Sequence, residues 1–148
     1  MLERVNEVLV TKTPETMFAT CIYLLLDPAT GRIQFANAGH NLPYLAGSDG
    51  VEELRATGMP LGLMPEMTYD EAEAVLPPSS RLLLHSDGVA EAHNGDREMF
   101  GFPRLIKVVE NCPPTDSLID AALAELVRFV GADWEQEDDI TLVTLERS

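Results

Sequence analysis

The chain has 148 residues and is 45% hydrophobic, which suits one sizeable folded core and excludes a disordered polyelectrolyte. Its formal net charge of −15 would repel nucleic acid and anionic lipid surfaces. No apolar run approaches the roughly 18 residues of a membrane span, and the opening MLERVNEVLVTKTPE lacks the apolar stretch of a signal peptide. Cys21 and Cys112 form no CxxC pair and are expected to be structural and reduced, which suits the cytoplasm.

Leu2, Val5, Val8 and Leu9 recur at helical spacing, predicting an amphipathic helix that ends near Thr13-Pro14. It begins at residue 1 of this sequence, and its apolar stripe is expected to lack a domain before it that would cover it. The apolar run Phe18 to Leu26 and the segment Arg32 to Ala38 read as a β-hairpin joined by Asp27 to Gly31. Leu42 to Ala46 is a short strand, and Val51 to Leu54 pairs back across the GSDG turn. Gly58 to Pro65 is a loop punctuated by glycine and proline. Tyr69 to Leu76 reads as a further strand, followed by a turn at Pro77 to Ser80 and a buried strand over Arg81 to Ser86.

A helix over Pro103 to Glu110 is stopped by Cys112-Pro113-Pro114. A second starts at a Thr115 or Asp116 cap and runs to Val130. One of its faces carries Leu118, Ile119, Ala122, Leu123, Leu126, Val127 and Val130, and Gly131 ends it. Ile140 to Leu145 closes the chain as a strand. Hairpin strands followed by helices predict an α+β fold, with an antiparallel sheet or sandwich and helices packed outside.

Three places could carry chemistry. In His85-Ser86-Asp87-Gly88 an apolar strand runs into an aspartate, held rigidly, and a glycine that lets the chain turn sharply. In Glu137-Asp138-Asp139-Ile140-Thr141 acids precede a strand, and the wider acidic run extends from Asp133 to Asp139. Two aspartates on different strand ends can share a hard cation such as Mg²⁺ or Mn²⁺. The plainer alternative is that Asp-Gly is a common turn and the terminal acids are solvated. The third place is Asn37-Ala38-Gly39-His40-Asn41, where His40 could donate to a phosphate or act as a general acid, or could be a hydrogen-bonded structural residue. His85 and His93 have weaker cases.

Taken together and in order, the motifs resemble one family. The matching segments are Met17-Phe18-Ala19-Thr20, Ala38-Gly39-His40-Asn41, Met59-Pro60-Leu61-Gly62, Ser86-Asp87-Gly88-Val89, Phe100-Gly101 and Asp138-Asp139-Ile140-Thr141. This set is similar to the PPM-type (type 2C) serine/threonine phosphatases, in the bacterial branch of SpoIIE and RsbU. The resemblance implies a partial α/β/β/α sandwich of that type. It implies hydrolysis of phosphoserine or phosphothreonine on a regulatory protein resembling an anti-sigma-factor antagonist, with Mn²⁺ or Mg²⁺ as cofactor. It assigns metal ligation to Asp87 and Asp138, with Asp139 as the alternative to Asp138 and Gly88 as a lesser candidate. It sets His40 near the site.

Full members carry two earlier motifs, Gly-Gly-Asp and Asp-x-x-Gly-His-Gly, and neither occurs in these 148 residues. The chain is therefore expected to be the C-terminal portion of one phosphatase domain, residues 1–148, holding half of a metal site, with impaired activity on its own. Unpaired sheet edge and apolar face predict a homodimer or swapped dimer through the N-terminal helix or exposed sheet. The competing reading is a non-catalytic module that binds a partner or itself.

Overall fold

The structure is a computed structural model that describes residues 1–14, 16–131 and 134–147. Of the acidic run from Asp133 to Asp139, Asp133 lies outside the described residues. The chain divides into two compact units: Met1–His40 with Leu54–Leu76, and Asn41–Glu53 with Pro77–Ser148.

The first unit holds helix α1 (Leu2–Lys12) and strands β1 (Cys21–Leu26), β2 (Arg32–Ala38) and β5 (Glu71–Val75). The strands form an antiparallel sheet in the order β1-β2-β5. The hairpin register pairs Cys21 with Ala38 and Leu26 with Ile33. Its turn is fixed by Asp27, whose carboxylate accepts from the Ala29 amide at 3.0 Å and the Thr30 hydroxyl at 2.7 Å. Strand β1 is shorter than the apolar run suggests. Phe18 lies outside it and is 59% exposed.

Helix α1 matches its predicted bounds, but its buried face differs from the apolar stripe. Leu2 and Asn6 are buried, whereas Val5 and Val8 are exposed. Asn6 is inside because both ends of its amide are satisfied. Its Nδ2 donates to the Met64 carbonyl and its Oδ1 accepts from the Gly62 amide, each at 2.8 Å. A polar side chain thereby fastens the helix to the glycine- and proline-punctuated loop.

The second unit holds β3 (Tyr44–Gly47), β4 (Gly50–Glu53), β6 (Ser80–His85) and β7 (Leu142–Arg147), all antiparallel in the order β4-β3-β6-β7. It also contains α2 (Asp87–Ala90), α3 (Phe102–Asn111) and α4 (Leu118–Val130). Strand β6 is central and almost wholly buried, as its run of three leucines requires. Tyr44, Leu83, Phe100, Leu105, Leu118 and Leu126 join in one core between the sheet and helices α3 and α4. The α4 cap is Ser117, whose side chain accepts from the Asp120 amide, rather than Thr115 or Asp116. Leu118, Ala122, Leu126 and Val130 form the buried stripe. Leu123 and Val127, expected on the same face, are exposed because the buried arc is narrower than the apolar one. Arg81 is buried and donates to the carbonyls of Cys112, Pro113 and Asp116, tying β6 to the turn between α3 and α4. Both cysteines are free thiols.

Candidate functional site

In the second unit, β6 delivers Ser86, Asp87 and Gly88 to the end of the sheet, beside the chain segment that enters β7. Asp87 opens the four-residue helix α2, so the expected sharp glycine turn is instead a helical one. Gly88 is needed for close approach. A Cβ there would lie 2.6 Å from the Asp139 carbonyl oxygen and 3.5 Å from the Asp138 carbonyl carbon. Ser86 closes the junction. Its hydroxyl donates to the Asp139 carbonyl at 3.0 Å and accepts from the Thr141 amide at 2.9 Å, while its own amide donates to the Thr141 carbonyl at 3.0 Å. The segments carrying Asp87 and Asp138 are thus locked side by side, although they are 51 positions apart in sequence.

The carboxylates are held locally as well. Asp87 Oδ1 accepts from the Gly88 amide at 3.1 Å, and Asp138 Oδ1 accepts from the Asp139 amide at 2.7 Å. Asp139 joins the junction through its backbone, its carbonyl bonding Ser86. Beside them is a cleft of about 240 Å³, with Gly88, His93, Met99, Trp134, Glu137 and Asp138 among its walls. His93 Nδ1 lies 2.8 Å from Glu137 Oε2. The donors at this junction are oxygen atoms, which suits a hard divalent cation. Among the described residues, no group of three or more His, Cys, Asp or Glu side chains converges to hold a metal ion. The residues at this junction therefore fit such a cation only in part.

His85, in the same motif, is a core residue. It is 2% exposed, stacks on Tyr44 with ring centroids 5.1 Å apart, and lies near Phe102. Burial and the nearby Glu53 carboxylate push the Tyr44 phenol up to about 12.

In the first unit, His40 is presented by a rigid turn. The buried Asn37 side chain accepts from the His40 amide at 2.7 Å and donates to the His40 carbonyl at 2.8 Å. Gly39 has φ +69°, and a Cβ on it would meet the Pro60 ring at 2.7 Å, so only glycine fits. Thr20 Oγ1 lies 3.1 Å from His40 Nδ1, fixing the ring's orientation.

The spacing of residues did not reveal the bridging role of Ser86 or the pairing of His93 with Glu137. The serine stood within a recognised motif. The His93–Glu137 contact joins residues 44 apart, and no local pattern announces it.

Residues 1–148 match the family model described as stage II sporulation protein E (SpoIIE). The chain is 30% identical over 134 residues to Protein IcfG of Synechocystis sp., a match covering 89% of this chain and 21% of that protein. It is 27% identical over 153 residues to phosphoserine phosphatase RsbU of Bacillus subtilis, covering 99% of this chain and 44% of RsbU. The solved PP2C phosphatase domain of SpoIIE from Bacillus subtilis, with a fragment of its regulatory domain, superposes with a TM-score of 0.78 at 19% identity. That match covers 97% of this chain and 42% of the other. The fold is accordingly that of the PP2C class of phosphatase domains. The chain belongs to the SpoIIE family, and it spans less than half the length of these curated relatives.

Proposed function

We propose that residues 1–148 are the C-terminal portion of one SpoIIE-type phosphatase domain, and that this portion serves metal-dependent hydrolysis of phosphoserine or phosphothreonine. The observation that carries the reading is the Ser86–Gly88 junction, which locks the segments bearing Asp87 and Asp138 side by side. Asp87 and Asp138 would hold Mn²⁺ or Mg²⁺, with Asp139 as the alternative ligand and Gly88 as the residue whose small size permits the approach. A bound divalent ion would activate water and screen the charge on phosphate. His40, oriented by Thr20 and Asn37, would donate to a phosphate oxygen or act as a general acid. The substrate proposed is a phosphorylated regulatory protein of the anti-sigma-factor-antagonist kind, as the family resemblance implies, and the name of the relative RsbU, a phosphoserine phosphatase, supports a phosphoserine substrate. No helix among the described residues is long and apolar enough to cross a membrane.

Two carboxylates rarely hold Mg²⁺ tightly without further ligands. These residues alone are therefore expected to release little phosphate from a phosphoserine protein in the presence of Mn²⁺. Polypeptide that also carries the two earlier aspartate motifs is expected to be active. Failure of that longer polypeptide to release phosphate would overturn the phosphatase reading. A second reading, self-association, is favoured by exposed Val8, Met17 and Phe18 in the first unit, at 50%, 58% and 59% exposure. Sedimentation tests it: a monodisperse monomer would rule out a dimer through the N-terminal helix or exposed sheet.

A further inference from the structure

We propose that His93 is a positioning residue for Asp138, forming the upstream half of a two-point clamp whose downstream half is Ser86. The inference rests on the reading of Asp138 as a metal ligand.

Residues 134–141 contain neither helix nor strand, so Asp138 sits on backbone that regular structure does not hold. Within the stretch, Gln136 Nε2 donates to the Asp138 carbonyl at 2.8 Å, and the Asp139 amide donates to Asp138 Oδ1. These bonds shape the turn without fixing its place. Packing of Trp134 and Ile140 against the core holds the ends of the stretch, and two polar contacts place Asp138 between them. Ser86 grips the chain on the far side of Asp138, through the Asp139 carbonyl and the Thr141 amide. His93 grips it on the near side, through Glu137 at 2.8 Å. The anchors flank α2 in sequence, one residue before Asp87 and three after Ala90, so Asp87 lies between them, while Asp138 lies between the residues they grip, Glu137 and Asp139.

The base under His93 is itself rigid. His93 bridges to Met99, and the Asn94 side chain accepts from the Asp96 and Glu98 amides at 3.0 and 2.9 Å. The Phe100 and Gly101 amides donate to the Ala92 and Ala90 carbonyls, both at 2.8 Å, and the Phe100 side chain is fully buried. The His93 and Glu137 side chains are 35% and 58% exposed. An exposed pair of this kind shifts a local equilibrium by roughly fivefold at most and leaves global stability almost unchanged. Its effect falls on where the 134–139 segment sits.

The test is NMR of the ¹⁵N-labelled chain, with Mn²⁺ alone as the probe. Wild type is compared with His93→Ala, His93→Asn and Asp138→Asn. Asparagine places its Nδ2 donor close to where the histidine Nδ1 lies. In His93→Ala, the amide order parameters of residues 136–139 are expected to fall from ~0.85 toward ~0.6, with an unchanged melting temperature. The Mn²⁺ concentration that half-broadens the Asp87 and Gly88 amide signals is expected to rise about three- to fivefold. His93→Asn should restore both quantities, and Asp138→Asn should weaken the Mn²⁺ effect more than either. Looser order parameters with an unchanged Mn²⁺ dependence would reduce His93 to a structural contact and overturn the proposal. Unchanged order parameters would show that the clamp does not hold the segment. Absence of Mn²⁺ broadening near Asp87 in wild type would instead remove the ligand reading, whatever the order parameters show.

Discussion

Gly88→Ala isolates the steric requirement of the candidate site. In most helices this change stabilises by about 0.4–1 kcal/mol, because alanine restricts the unfolded chain and favours helix. Gly88 is helical and has no positive φ, so backbone conformation raises no objection to alanine. The neighbour decides the sign. The added Cβ would sit 2.6 Å from the Asp139 carbonyl oxygen and 3.2 Å from its carbon, whereas carbon–oxygen contacts normally begin near ~3.3 Å. The obstacle is backbone, held by Ser86, and cannot rotate away as a side chain could. Relief requires the Asp138–Asp139 segment to move back by about 0.7 Å. Overpacking of this kind costs about 1–3 kcal/mol, which exceeds the helix gain. The net loss should lower the melting temperature by about 2–8 °C for a chain of this size. Because the displaced segment bears Asp138, cation binding should weaken together with stability. Thermal unfolding by circular dichroism and Mn²⁺ titration read the two effects. A variant as stable as wild type, or more so, with unchanged Mn²⁺ binding would refute the reasoning.

Further outcomes follow from other contacts. Ser86→Ala removes one hydroxyl that serves the Asp139 carbonyl and the Thr141 amide, and should cost about 1–3 kcal/mol in denaturant unfolding. Asn6→Ala strands the Gly62 amide and the Met64 carbonyl beneath α1. It should cost about 2–4 kcal/mol, seen as a lower urea midpoint at unchanged slope. Tyr44, with its phenol raised to about 12 by burial and Glu53, keeps its proton in the folded state while the unfolded chain loses it near pH 10. Its contribution is complete below pH 10 and declines by up to about 3 kcal/mol as pH rises toward 12. Tyr44→Phe should flatten that decline relative to wild type in urea melts across pH 9 to 12.

The strands were legible in the sequence where periodicity and turn chemistry agreed. Arg32–Ala38 was predicted with its observed bounds, and the buried strand over Arg81 to Ser86 differs by one residue at each end. Helix α1 was also legible, but its buried face was not. A reading by hydropathy places Asn6 outside, and only the carbonyl and amide of a loop more than fifty residues away reveal why it is inside. The α4 stripe was read too wide for the same reason, since burial depends on what packs against a face. Among the candidate residues, motif order singled out Asp87, Asp138 and His40. The Ser86 bridge, the close approach at Gly88 and the His93–Glu137 contact arise from long-range pairing that no local spacing encodes.

The most direct test of the central claim is calorimetric titration of Mn²⁺ into the purified chain, beside Asp87→Asn and Asp138→Asn. The account predicts weak binding to wild type that is lost in both variants. Binding that survives both substitutions, or no binding to wild type at the highest soluble Mn²⁺ concentration, would contradict the assignment of Asp87 and Asp138 as a shared cation site.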